Sequence, residues 1–241
     1  MRALAFDTAT EDLSVALGSR QELLGEINIQ AGRSHLELLL PAINDLLGNA
    51  GMTAAGLDLI CVGTGPGTFS GLRVGVATAR ALSQSLEAPL QGQSSLAALA
   101  QGMADFASGN QEELLLPVID ARRGQVFAQL YRKNAASVLA ASGVYCEAPQ
   151  DLIRKIAALT DRPVRAAGNG ILSYFALFDK KPVQPLPAGD LRHQVRAVYY
   201  LPVPGLKIKY DSHDLLDVLP AYIREPDADK TVLLRKKGIW L

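Results

Sequence analysis

The stretch GTGPGTFSGLRVG, residues 63–75, carries five glycines between an apolar run and a helical pattern. Glycine lets the backbone turn sharply or approach another group closely, and a glycine-rich loop that opens a helix is suited to holding an anion. Gly65, Gly67, Thr68 and Gly71 are therefore candidate nucleotide or anion-binding positions. Tight turns and close packing of helix on strand account for the same glycines equally well. A Walker A loop is excluded, because it needs G-x-x-x-x-G-K-[ST] and no lysine precedes Lys133. A dinucleotide fingerprint is excluded as well, since Ser70 stands where its third glycine belongs.

Other reactive residue types lack the partners that chemistry needs. His35, His193 and His213 have no second ligand three or four residues away, and His35 reads as a first-turn surface residue. Ser70, Ser94 and Ser95 have no nearby base, and no G-x-S-x-G occurs. Asp7 and Asp120 close apolar strands at equivalent points. Such a pair can hold Mg²⁺ through water, but the turn-forming habit of aspartate is the preferred reading. Cys61 and Cys146 read as buried, reduced thiols. No catalytic residue and no metal ligand is assigned.

The elements that must position these residues follow from periodicity. Strands are expected at 2–7, 13–18 and 22–29, with Gly18 and Ser19 as turn chemistry. Ser34 and Glu37 form a capping box opening a helix to about residue 48, with Pro41 bending it and Gly48 or Gly51 ending it. A buried strand at 57–63 runs into the glycine stretch, which opens a helix from Ser70 to about Leu86. A short strand at 89–92 and a helix from 94 to 107 complete a first lobe, residues 1–107. After a polar linker at 108–113, strands at 114–120, 125–131 and 137–145 precede a helix at 149–159, a strand at 163–167 and a turn at 168–170. The opening order of three strands and then a helix thus recurs in a second lobe, 108–241. This duplicated α/β unit implies a ribonuclease H-like architecture. Its tail, 182–241, is Pro-rich and irregular.

Composition bounds the class. The chain is 49% hydrophobic and 20% charged, with no uncharged apolar run of membrane-spanning length and no leader-like start. A cytoplasmic protein with no membrane partner is expected. Net charge is zero but divided, −8 over residues 1–120 and +8 over 121–241. A basic half can face tRNA, but no run interleaves cations with aromatics, so ordinary solvated surface is preferred.

The first helix is apolar over more than half its circumference, with Leu38, Leu39 and Leu40 consecutive. A surface helix needs a narrower stripe, so the surplus argues for a partner. The second helix offers small residues that allow close approach. Leu36, Leu39, Leu40, Ile43, Leu47, Val74, Thr78, Ala81 and Leu82 are the expected interface residues.

The pieces FDTAT, RSHLELLLPAINDLL, GTGPGTFSGLRVGVATARAL, PLQGQSSLAALA, PVIDARRGQVFAQLY, GNG and LPAYIRE resemble those of the TsaB (YeaZ) family. They cover most of residues 1–131 and a short piece near 220. The resemblance implies a duplicated two-lobe fold of the actin/Hsp70/sugar-kinase type. It also implies a non-catalytic subunit in N6-threonylcarbamoyladenosine (t6A37) modification of tRNAs reading ANN codons. TsaD, the catalytic relative, carries a metal-binding H-x-x-x-H. Here Ser95 and Leu99 occupy those two places, and leucine ligates no metal. The resemblance further implies a heterodimer with TsaD through the two first-lobe helices, the ATPase TsaE on that pair, a homodimer when alone, and tRNA met only through the complex. No cofactor is required, with ATP or ADP at the partner interface as the one candidate. The alternative from a different class is a nucleotide-binding or hydrolysing enzyme of the same superfamily, sugar-kinase-like or peptidase-like. Arg122 and Arg123 lie in the DARR block without an assigned role. Pro202 and Pro204 break the helix expected before the final P-x-Y-[IL]-R.

Overall fold

The computed structural model describes residues 1–105, 112–135, 137–202 and 218–223. Strand β1 (Arg2–Asp7) is buried along almost its whole length, as its run of small and large apolar residues requires. It is the centre of a five-stranded sheet, flanked by β2 (Asp12–Ser19) on one side and β4 (Leu59–Gly65) on the other. Beyond β2 lies β3 (Leu23–Gln30), and beyond β4 lies β5 (Leu90–Ser94), giving the order β3-β2-β1-β4-β5. The β1–β2 and β2–β3 pairs are antiparallel, whereas β1–β4 and β4–β5 are parallel and need helical crossovers. Those crossovers are α1 (His35–Asn49) and α2 (Phe69–Leu86).

The second sheet repeats this plan. Its centre is β6 (Glu113–Arg122), with β7 (Gln125–Ala128) and β10 (Tyr145–Glu147) on the antiparallel side. On the parallel side lie β11 (Val164–Ala167) and β12 (Val183–Pro185). The order β10-β7-β6-β11-β12 matches the first sheet strand for strand, with β8 (Tyr131–Lys133) and β9 (Val138–Ala140) added off that path. This is the duplicated ribonuclease H-like α/β fold of the actin/Hsp70/sugar-kinase type.

The packing forms five layers. Helices α1 and α2 cover one face of the first sheet over Leu4, Phe6, Val15, Ile60 and Val62. On the far side of the second sheet, α4 (Pro149–Leu159), α5 (Asn169–Ser173) and α6 (Phe175–Phe178) enclose Leu116, Val118, Val164 and Ile171. Between the two sheets lie α3 (Ser95–Asp105) and residues 195–201, in one apolar cluster that takes Ala5 and Cys61 from the first sheet and Leu115 and Phe127 from the second.

Several expectations are corrected. Ser34 is the N-cap of α1, but its hydroxyl makes no cap bond and the capping box does not form. The backbone there, φ −93° and ψ 23°, is outside the extended region from which a cap side chain reaches the helix. Gly51 ends α1 with φ +64°, its amide donating to Gly48. The run 137–145 is two short strands, because Ser142 turns back to accept the Leu130 amide at 2.9 Å. Asn169 and Gly170 open α5 instead of making a turn, with Gly168 at φ +124° as its lead-in. Part of the irregular tail, residues 195–201, packs between the two sheets. A 3-10 turn at Ala197–Tyr200 lies against β1 and β2, and the Ala197 amide donates to Ser14 Oγ at 2.7 Å. Most of the expected linker, the basic end and His213 lie outside the described residues.

Candidate functional site

The nine expected interface residues separate into three sets. Leu39, Ile43 and Leu47 are 1%, 3% and 4% exposed, packed onto the chain's own sheet, so they are corrected from docking residues to core. They form one i, i+4 stripe, and a stripe facing the sheet cannot also face a partner. Val74, Thr78 and Leu82 are half-buried, Val74 and Leu82 against the same core. Leu36, 74% exposed, Leu40, 50% exposed, and Ala81 remain open. The sequence reading missed Phe69 and Ala77, which are also exposed on α2. The open apolar ridge is therefore Leu36 and Leu40, one turn apart on α1, together with Phe69, Ala77 and Ala81, which share one i, i+4 row of α2.

An aromatic and cationic cluster ends this ridge. The Tyr222 ring lies 5.2 Å from that of Phe69, and the Arg73 guanidinium lies 3.9 Å from the Phe69 centroid. The segment 218–223 is held by the Ala221 amide, which donates to the Thr64 carbonyl at 2.8 Å.

The glycine stretch is used by the chain itself. A Cβ on Gly67 would lie 2.2 Å from the Ala9 carbonyl oxygen, and one on Gly71 would lie 2.0 Å from that of Thr8. The Thr68 amide donates to Ala9 O at 2.7 Å, and Thr8 Oγ1 donates to Gly71 O at 2.7 Å. The turn at Thr8–Ala9 thus occupies the close approach that Gly67 and Gly71 permit. Gly65, at φ +98°, supplies the backbone conformation that L side chains avoid.

Asp7 and Asp120 repeat one local design with different surroundings. Each accepts from the amide two residues on, Ala9 at 2.7 Å and Arg122 at 2.8 Å. Asp7 is sealed, accepting from Ser95 Oγ and from the Tyr200 hydroxyl, both at 2.6 Å. Gly63 makes room for it, since a Cβ there would sit 1.8 Å from Asp7 Oδ2. Burial pushes the Asp7 carboxyl above its usual range, opposed by the Ser95 and Tyr200 hydrogen bonds. Burial, then the Asp7 charge, drives the Tyr200 hydroxyl well above 10.0. Leu99 is a core residue, 1% exposed, and Ser95 is fully enclosed. Asp120 instead faces Arg122, whose guanidinium lies 3.4 Å from it and 2.5 Å from Glu11 of the first lobe. Arg122, Arg123 and Gly124 all have positive φ, 63°, 54° and 75°, in the tight β6–β7 hairpin.

The described histidines and Cys61 are enclosed by the fold. His35 is buried rather than on the surface, with Nε2 3.4 Å from the Asp12 carbonyl. His193 is buried between Gly168 and the Pro187 carbonyl. Cys61 is buried, its thiol pushed up to about 12 by burial, whereas Cys146 is only half-buried. Among the described residues no group of three or more His, Cys, Asp or Glu is placed to hold a metal. No described helix is long and apolar enough to cross a membrane.

Residues 25–171 match the family model for TsaD, tRNA N6-adenosine threonylcarbamoyltransferase. The tRNA threonylcarbamoyladenosine biosynthesis protein TsaB of Bacillus subtilis is 36% identical over 132 residues, 55% of this chain and 56% of that one. The chain thus matches about half the length of that curated relative. An uncharacterized protein of Mycobacterium tuberculosis is 34% identical over 228 residues, 93% of this chain and 92% of that one. Among solved structures, YeaZ from Pseudomonas aeruginosa superposes with a TM-score of 0.75 at 28% identity, covering 92% of this chain and 99% of that one.

Proposed function

The chain belongs to the TsaB (YeaZ) family, and from that premise we propose that it acts in tRNA threonylcarbamoyladenosine biosynthesis as a non-catalytic docking subunit. Its partner in this reading is TsaD, which seats its own helices on the ridge of Leu36, Leu40, Ala77 and Ala81. TsaE then joins the pair, and tRNA is met by the assembly. In this reading no cofactor is required, and the partner interface is the place for ATP or ADP.

One observation carries the proposal: α1 and α2 keep an apolar ridge open after their own sheet has been covered. Leucine in water is a cost that a partner surface removes, at about 25 cal/mol per Å² buried. The non-catalytic part is supported by the Asp7 carboxyl being held by Ser95 and Tyr200, with Leu99 in the core beside them. Mixing with TsaD should give a stable heterodimer by size-exclusion chromatography and restore tRNA modification in vitro. Leu40→Arg and Ala81→Arg should abolish the complex while leaving the circular dichroism and melting temperature of this chain unchanged, because both positions face solvent. Normal binding by both variants sinks the docking reading.

A further inference from the structure

A cavity of about 310 Å³ lies at the seam between the lobes, and none of its lining residues belongs to the helical ridge or the glycine stretch. One wall comes from the first sheet, with Asp12 on β2 and Asn28 and Gln30 on β3. The other comes from Asn169 on α5 and from the segment carrying Gln194. Its size is that of a pocket for a small metabolite.

The polar groups of this wall are unevenly satisfied. The Asp12 backbone is fixed, its amide donating to Thr10 Oγ1 at 3.2 Å, yet among the described residues no protein group donates to its carboxylate. Burial, and then the neighbouring Glu11 charge, raises the Asp12 carboxyl above its usual range, partly offset by His35. Asn169 Oδ1 accepts the Asp120 amide at 3.0 Å, which sets the orientation of the side-chain amide. Its NH₂ donors have no protein partner among the described residues. The second lining carboxylate, Asp190, is already held by Arg192 Nε at 2.8 Å. Both His193 nitrogens are taken, by Gly168 and Pro187. Among the described residues no lysine or arginine lines the cavity.

A half-buried carboxylate that, among the described residues, has no donor and faces amides with no lysine or arginine selects strongly by charge. A phosphate or carboxylate would be repelled by Asp12, with no lysine or arginine among the described lining residues to hold it. A cation would supply the missing donor, and a charge-assisted hydrogen bond is the strong kind. The geometry points to a binding site for a small polyhydroxy amine, its ammonium group on the Asp12 carboxylate and its hydroxyls met by the amides of Asn28, Asn169 and Gln194. The site is independent of partner docking, so the two readings stand or fall separately.

Glucosamine, glucose and glucosamine 6-phosphate probe the site by isothermal titration calorimetry on the full chain. Glucosamine should bind at one site, and glucose, which lacks the ammonium, should bind at least about tenfold more weakly. Glucosamine 6-phosphate should bind more weakly than glucosamine. Asp12→Asn should lose glucosamine binding by the same factor at a melting temperature no lower than that of the unaltered chain, because burial and Glu11 disfavour the charge that it removes. Asn28→Asp adds a further carboxylate on the Asp12 side of the cavity and should tighten glucosamine binding. No glucosamine binding at millimolar concentration, equal affinity for glucose, tighter binding of the phosphate, or affinity untouched by either substitution would each overturn the site.

Discussion

Adding a single methyl group to Gly71 would set it 2.0 Å from the Thr8 carbonyl oxygen, a backbone atom that cannot swing aside. Gly71→Ala should therefore lower stability by about 1–3 kcal/mol in urea unfolding, despite the roughly 1 kcal/mol that alanine gains over glycine in a helix. Gly48→Ala, with nothing within 4 Å of the added Cβ, should raise stability by up to about 1 kcal/mol. The opposite signs separate close packing from mere flexibility. The enclosed Asp7 makes a pH prediction. Its carboxyl is pushed up from 3.8 by burial, so above that value the folded chain keeps a proton that the unfolded chain has released. Stability contributed by this group is complete at low pH and falls as pH climbs from 3.8 toward the raised native value. Asp7→Asn, which cannot titrate, should flatten that part of a melting-temperature profile. Tyr200→Phe removes one donor to the same oxygen and should cost about 1–3 kcal/mol.

At the scale of elements, helix α1 shows how little separates core from surface. Leu39 and Leu40 are adjacent in sequence, yet one is 1% and the other 50% exposed. Leu39→Ala should cost about 2–5 kcal/mol, whereas Leu40→Ala should leave folding stability nearly unchanged and act only on partner binding. Ser34→Ala should be nearly neutral, because the hydroxyl makes no cap bond. Existence and order of the first-lobe elements were legible from periodicity, and α1, α2 and α4 fall within a residue or two of the expected bounds, whereas α5, α6 and β12 were not foreseen. What periodicity cannot supply is the phase of a helix against its sheet. With Leu38, Leu39 and Leu40 all apolar, the sequence alone does not say which one faces inward. The Asp7–Tyr200 bond was also hidden, since its partners are 193 residues apart and nothing local marks either one. The separation of Asp7 from Asp120 by environment, one enclosed and one beside Arg122, depends on tertiary neighbours in the same way.

Across the whole molecule, the links between the lobes differ in weight. The Glu11–Arg122 ion pair spans the seam, but both side chains are about half exposed, 51% and 52%. A double-mutant cycle on that pair should return under about 1 kcal/mol. The apolar cluster between the sheets is the stronger link, because it draws from α3, both sheets and residues 195–201 at once. Within it Tyr200, Leu201 and Ala197 have no measurable exposure. Arg196 adds an ion pair to Glu26, a side chain only 8% exposed. The first sheet is thus closed on its inner face by a segment that the chain reaches only after building the second sheet.

That placement makes the first lobe a discontinuous unit of inheritance. A fragment ending near residue 105 would carry every strand and helix of the first sheet, and still leave Ala3, Ala5 and Ala16 bare where residues 197–201 belong. Grafting this lobe onto another protein, or expressing it alone, therefore requires the distant 195–201 stretch to travel with it, as a co-expressed peptide or through a circular permutation that joins the two.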